Sequence, residues 1–233
     1  MADKSTPTPL LLTLLALTTV SGLVDAVCYL GLGRVFTANM TGNIVVLGFA
    51  VAGARGFSVT ATLTSVAFFL AGAFCVGRAA PWLARGNGIR NQQLLVAMGT
   101  EACFVSTAAI IAALAATVAT GWARYVVIAL LAFAMGVRNA TVRRLAVPDL
   151  TTTVLTMTLT GLAADAAFAG REQATTVYRR TAAVAAMLIG AISGAALFLH
   201  QRAALPLLIA ALVVAVAGVA LRLSTPGDAT IAG

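Results

Sequence analysis

Charge is what this sequence has least of. Only 9% of its 233 residues are Asp, Glu, Lys or Arg, whereas a soluble domain carries about a quarter. Lys4 is the single lysine and His200 the single histidine, so a zinc site or a histidine-based catalytic pair is not expected. Cys28, Cys75 and Cys103 all lie inside apolar runs with no C-x-x-C pair among them, which reads as three small buried hydrophobes. No Walker loop, dinucleotide fingerprint or nucleophile elbow in its required context occurs. These absences leave no expected metal, cofactor or catalytic cluster, and the chain is read as a non-enzyme.

A formal net charge of +8 raises the question of nucleic acid. The arginines, however, stand singly or in pairs between apolar runs, without a basic face interleaved with aromatics, so nucleic acid is not an expected partner. Arginines at helix ends can extend toward lipid phosphates, and their distribution instead carries topology information.

What is there is hydrocarbon: 61% of the residues are hydrophobic. Apolar segments run over 10–32, 39–54, 58–80, 94–117, 122–138, 150–169, 178–199 and 205–222, most of them near the 17 to 25 residues or so that cross a bilayer core. The first follows Lys4 and faintly resembles a signal peptide, but its apolar run continues through Leu32 and more follow, so it is read as an uncleaved span. The second segment is short, and the sixth is unusually polar, reading Thr151-Thr152-Thr153-Val154-Leu155-Thr156-Met157-Thr158.

Those two segments occupy matching places in an internal repeat. Gly22 to Gly48 and Gly136 to Gly161 each hold a helix end, a short Arg-bearing linker and a Thr-rich helix start, giving pseudo-repeats of about 8–118 and 119–225 within one integral membrane domain. Charge counting separates two topologies. If all eight segments span, the cations divide almost evenly. If the two doubtful segments dip in and return, Lys4, Arg78, Arg85, Arg90, Arg138, Arg143, Arg144, Arg171, Arg179, Arg180 and Arg222 fall on one side, and Arg34, Arg55, Arg124 and Arg202 on the other. Cytoplasmic loops carry the excess of Lys and Arg. The expected fold is therefore an all-α polytopic bundle of six full spans plus two short re-entrant or broken helices, with eight spans as the alternative and both termini cytoplasmic. Inverted halves with interrupted helices at corresponding positions are a transporter plan that places the site near the midplane.

Few residues can carry chemistry in such a chain. Asp25 lies in the first span, where an unpartnered carboxylate costs several kcal/mol, on the order of 3. It shares a helical stripe with Thr18, Ser21, Gly22, Cys28 and Tyr29 and so faces other helices or a cavity. Coupling to an ion or proton and a purely structural, Arg-paired acid both fit. Glu101 and Asp165 are the other embedded acids and candidates for a second titrating group; Glu101 could equally be interfacial and paired with Arg90. The run Asn39-Met40-Thr41-Gly42-Asn43 starts a helix after a Gly-rich linker, offering side-chain caps and backbone N–H groups that can hold an anion. The start at Thr151-Thr152-Thr153, continuing to Thr156, does the same in the second half. Arg138, Asn139, Arg143 and Arg144 are read as a basic linker meeting anionic lipid. Gly190 and Gly194 form a G-x-x-x-G surface suited to close packing within the chain or to a homo-oligomer.

The run Ser21 to Gly48, particularly Gly22, Val24-Asp25-Ala26, Phe36 and Met40-Thr41-Gly42-Asn43, resembles the bacterial YoaK family, a domain of unknown function, and the resemblance extends over nearly the whole chain. It implies a multi-span inner-membrane protein with six or so helices and names no substrate. Met157 falls where Gly42 aligns, so any glycine-dependent backbone approach is lost in the second half. The combined expectation is a small-solute or ion transporter or channel of the bacterial inner membrane, surrounded by lipid. Its path would lie between the halves, with Asp25 as a coupling or ligand acid. The alternative is a noncatalytic scaffold or accessory subunit that docks a protein partner.

Overall fold

A computed structural model describes residues 8–83, 89–115, 121–145, 158–161, 163, 171–200 and 203–224. Its main helices are α1 (Thr8–Gly31), α2 (Met40–Val51), α3 (Val59–Leu83), α4 (Ile89–Leu114), α5 (Trp122–Leu145), α6 (Arg171–His200) and α7 (Ala204–Ser224). Six of these are long and apolar enough to cross a membrane, and α2, with 12 residues, is not; it is about 18 Å long at ~1.5 Å per residue. The chain is a polytopic helical membrane bundle.

The surface explains why lipid is its solvent. Leu63, Phe68, Leu70 and Phe74 on α3 and Leu188, Ile189, Ile192 and Leu199 on α6 point outward, whereas Ser21, Asp25, Thr37, Asn43, Ser65, Glu101 and Arg138 are buried. Water would reverse that arrangement, because it rewards exposure of the second group and burial of the first. Hydroxyls inside the helices are satisfied locally: Thr18 donates to the Leu14 carbonyl at 2.9 Å and Ser21 to the Leu17 carbonyl at 3.1 Å, the i−4 bond that lets Ser and Thr sit in an apolar helix.

α2 does not cross. α1 ends where Gly33 and Arg34 take left-handed backbone (φ 99° and 58°), which turns the chain off the helix. The residues after that turn then pack against the beginning of α3: Phe36 accepts a hydrogen bond from Ser65. The end of α1, the start of α2 and the start of α3 are thus at one end of the bundle. Cys75, Val76 and Ala79 line a common cleft with Gln93, Val137 and Arg144, which places the end of α3, the start of α4 and the end of α5 together at the other. Cations cluster toward this second end, with Arg78, Arg143, Arg144, Arg179, Arg180 and Arg222 against Arg34, Arg55 and Arg124.

α1 packs chiefly on α6 and α7, α5 chiefly on α3 and α4, and α4 also on α7; exchanging the halves leaves this set of pairs unchanged. The packing repeats down to single residues. A Cβ on Gly22 would meet the Met187 carbonyl and one on Gly190 the Thr19 carbonyl. In the other half, a Cβ on Gly136 would meet the Phe69 carbonyl and one on Gly72 the Phe133 carbonyl. Gly136 and Phe133 each follow Gly22 and Thr19 by 114 positions, and Gly190 and Met187 each follow Gly72 and Phe69 by 118. Without side chains at these points, paired helix backbones approach closely, which substitutes for the hydrophobic drive that lipid does not provide. Gly190 and Gly194 therefore serve an intramolecular contact with α1.

One boundary differs from the hydropathy reading. α5 continues through Leu145, so Arg138, Arg143 and Arg144 are helical and not a linker. Leu131, Met135, Arg138, Val142 and Leu145 are all buried at helical spacing, a stripe on which Arg138 takes an apolar position. A hydropathy sum stops at such an arginine, while a helix that gives it a partner does not. Arg138 consequently drops out of the loop cations used to orient the chain.

Candidate functional site

Two polar clusters occupy the interior, one helical turn apart along α1. The first joins three spans. Arg138 of α5 and Glu101 of α4 form an ion pair at 2.8 Å, with side chains 2% and 0% exposed. Both terminal nitrogens of the guanidinium reach further acceptors: Nη1 also meets the Leu17 carbonyl of α1 at 3.0 Å, and Nη2 meets the Ser21 hydroxyl. Ser21 and Glu101 both lie near the middle of their helices. The pair therefore sits at the depth where charge is most expensive and where function most often explains it. Each interaction offsets part of that cost: the Coulomb attraction is strengthened by the low dielectric, and fixed acceptors replace water.

The second cluster fixes the loop between α1 and α2. Asp25, one turn beyond Ser21, accepts from the Thr37 backbone N–H at 2.7 Å, the Ala38 backbone N–H at 2.9 Å and the Thr37 hydroxyl at 3.0 Å, all through Oδ1. Consecutive N–H groups converging on one oxygen form an anion-binding concavity, and here the chain's own carboxylate fills it. Asn43, from the first turn of α2, clamps the same loop. It accepts from the Phe36 N–H at 2.9 Å and donates to the Phe36 carbonyl at 2.7 Å, while Ser65 of α3 donates to that carbonyl at 2.5 Å. Asn39 caps α2 by accepting from the Gly42 N–H at 3.1 Å.

Asp25 and Asn43 are buried together around the 36–38 loop, and Tyr29 stacks on Phe36 with centroids 5.0 Å apart. Gly42 lies against the Phe36 ring, where a Cβ has no room. Thr41 and Asn39 are exposed, so the helix start presents a cap rather than an enclosed anion site. Glu101 is buried and paired across the bundle with Arg138, and the side chain of Arg90 lies outside the described residues. Thr152, Thr153, Thr156 and Asp165 lie outside the described residues. Sequence reasoning missed Arg138 and Ser21. Their available signal was an arginine in phase with a buried stripe, and a serine one turn before the embedded Asp25.

The clusters leave a chemical remainder. Among the described residues, Asp25 Oδ2 and Glu101 Oε2 are buried and accept no hydrogen bond. Among the described buried side chains, these two carboxylates are accompanied by one guanidinium, Arg138, which pairs with Glu101. The interior of the described bundle is thus rich in acceptors and short of positive charge, an arrangement that a proton, a small cation or a donor group on a solute completes.

Comparison with known proteins agrees with the architecture. No solved structure matches the chain. UPF0700 transmembrane protein YoaK of Bacillus subtilis (strain 168) is 35% identical over 159 residues, covering 66% of this chain and 65% of that protein, so the aligned stretch spans less than two thirds of the relative's length. Residues 13–220 match the family described as Protein of unknown function (DUF1275), and these residues include every side chain named in the two clusters: the chain belongs to that family.

Proposed function

We propose that the protein is a small-solute or ion transporter of the bacterial inner membrane, in which the Glu101–Arg138 pair and Asp25 form an acceptor-rich path coupled to a proton or small cation. One observation carries the reading: two carboxylates buried among spanning helices, each with an oxygen that no described donor satisfies. A purely structural acid pays its desolvation cost best by satisfying both oxygens, and a group that must accept and release a cation cannot. The repeated helix pairs, α1 with α6 and α3 with α5, add support, because paired arms around a midplane site suit alternating access.

All of the Arg138 donors named above are occupied, so the guanidinium tunes Glu101 and holds α1, while the carboxylates are the groups with capacity left. The path therefore favours cations or donor-rich solutes over anions. The N-terminus of α2 is not assigned a ligand, because Asp25 already occupies the Thr37 and Ala38 N–H groups.

The reading is tested by thermal unfolding of the purified protein against amino acids, amines, organic acids and monovalent cations, with Glu101→Gln in parallel. A saturable stabilisation by a cationic or donor-rich solute that is lost in the variant supports it. A well-folded wild type that no solute stabilises favours instead an accessory subunit, which could dock a protein through the outward Ile44, Val45 and Phe49 of α2.

A further inference from the structure

A second site lies on the flank of the bundle. Between α3, α4 and α5 a cleft of about 210 Å³ opens at the arginine-rich end. Val76, Val96, Phe133 and Val137 line it with hydrocarbon, and Gln93, the buried Thr141 and the exposed Arg144 add polar groups. Polarity therefore changes along its length, from a cationic lip to hydrocarbon walls. Thr100 and Val137, which also line it, are sequence neighbours of Glu101 and Arg138, so the cleft reaches the level of the ion pair from the lipid side.

Arg144 is exposed in the last turn of α5, and no carboxylate among the described residues pairs with it. A charge with no carboxylate partner among the described residues, beside an apolar furrow, suits an anion that brings its own hydrocarbon. The carbonyl end of α5 opposes a negative group, so an anion here depends on guanidinium contacts rather than on backbone N–H groups. A phosphate, which matches the planar donor fork of arginine, meets that requirement. Arg78 and Arg143, exposed at the same end, extend the positive field over the membrane surface where acidic headgroups lie.

We propose that this cleft binds an acidic phospholipid, with the phosphate on Arg144 and one acyl chain running along Val96, Phe133 and Val137. The lipid braces α4 and α5 from outside at the depth where Glu101 and Arg138 hold them from within. This inference does not depend on the transport reading.

The test uses the full chain in detergent, with phosphatidylglycerol, phosphatidylcholine of identical acyl chains, or inorganic phosphate added, read by the unfolding midpoint. Phosphatidylglycerol is expected to raise the midpoint by several degrees, at least twice the effect of phosphatidylcholine, and phosphate alone to do nothing. Arg144→Gln should abolish the acidic preference, Arg143→Gln should keep most of it, and Val96→Trp, at a half-exposed position on the cleft wall, should reduce stabilisation by both lipids. Equal stabilisation by the two lipids, equal loss in the two arginine variants, or a response to phosphate alone would each overturn the proposal. Native mass spectrometry of the wild type gives an answer independent of the variants: retention of phosphatidylglycerol from an equimolar lipid mixture supports the site, and indiscriminate retention contradicts it.

Discussion

Glu101 and Arg138, 37 positions apart in the chain, meet at 2.8 Å with both side chains withdrawn from the surface, and Ser21 on a third helix takes another donor of the same guanidinium. The contact ties α4, α5 and α1 together at mid-depth, and its energetics follow from the imbalance between breaking and replacing a buried pair.

Arg138→Met leaves Glu101 alone in the interior and is expected to cost about 3–5 kcal/mol. Glu101→Leu in the same chain removes the stranded charge and should recover a large part of that loss. Unfolding of the two single variants and the double variant in one detergent measures the coupling. Additive effects would mean that the two side chains do not act as a pair.

Asp25 gathers three donors from the loop that follows α1. Asp25→Ala orphans two buried N–H groups and is expected to cost about 1–3 kcal/mol, whereas Asp25→Asn keeps an acceptor and should cost less. The loop reports the difference directly. In a cysteine-free background, a cysteine placed at Thr37 should be slow to react with a polar thiol reagent when Asp25 is present and fast in the alanine variant. Equal rates would show that Asp25 does not hold the loop.

The repeated glycine contacts predict a pattern of outcomes. Gly22→Ala, Gly190→Ala, Gly72→Ala and Gly136→Ala each drive a methyl group into the carbonyl of a neighbouring helix and should destabilise by about 1–3 kcal/mol. Gly99→Ala, on α4, meets nothing within 4 Å and should be neutral or gain up to about 1 kcal/mol from helix propensity. Expression level and unfolding midpoint across the five variants check this. A costly Gly99→Ala alongside harmless clasp variants would contradict the packing described.

Much of this was readable in the sequence because membrane folds are selected by hydrocarbon length. The short second segment is a 12-residue helix that returns to its side, and Asp25 stood out because a lone acid in an apolar run needs a partner. Its partners could not be read, since two of the three donors are the Thr37 and Ala38 backbone N–H groups, which no residue type announces. Glu101 was visible and Arg138 was misread for a shared reason: an ion pair between helices has no sequence spacing, and an arginine near a segment end resembles an interfacial anchor. The G-x-x-x-G at Gly190 signalled close packing, but the choice between a neighbouring helix and a second copy depends on which backbone lies opposite.

Charge movement through reconstituted protein shows whether the buried carboxylates carry a solute across the bilayer. Proteoliposomes adsorbed on a solid-supported membrane are exposed to concentration jumps of amines, amino acids and monovalent cations, with and without a pH gradient. A saturable transient current is expected for at least one cationic or donor-rich solute, abolished by Glu101→Gln and retained by Gly99→Ala. Currents no larger than those of protein-free liposomes across the panel, or an undiminished current in Glu101→Gln, would contradict it.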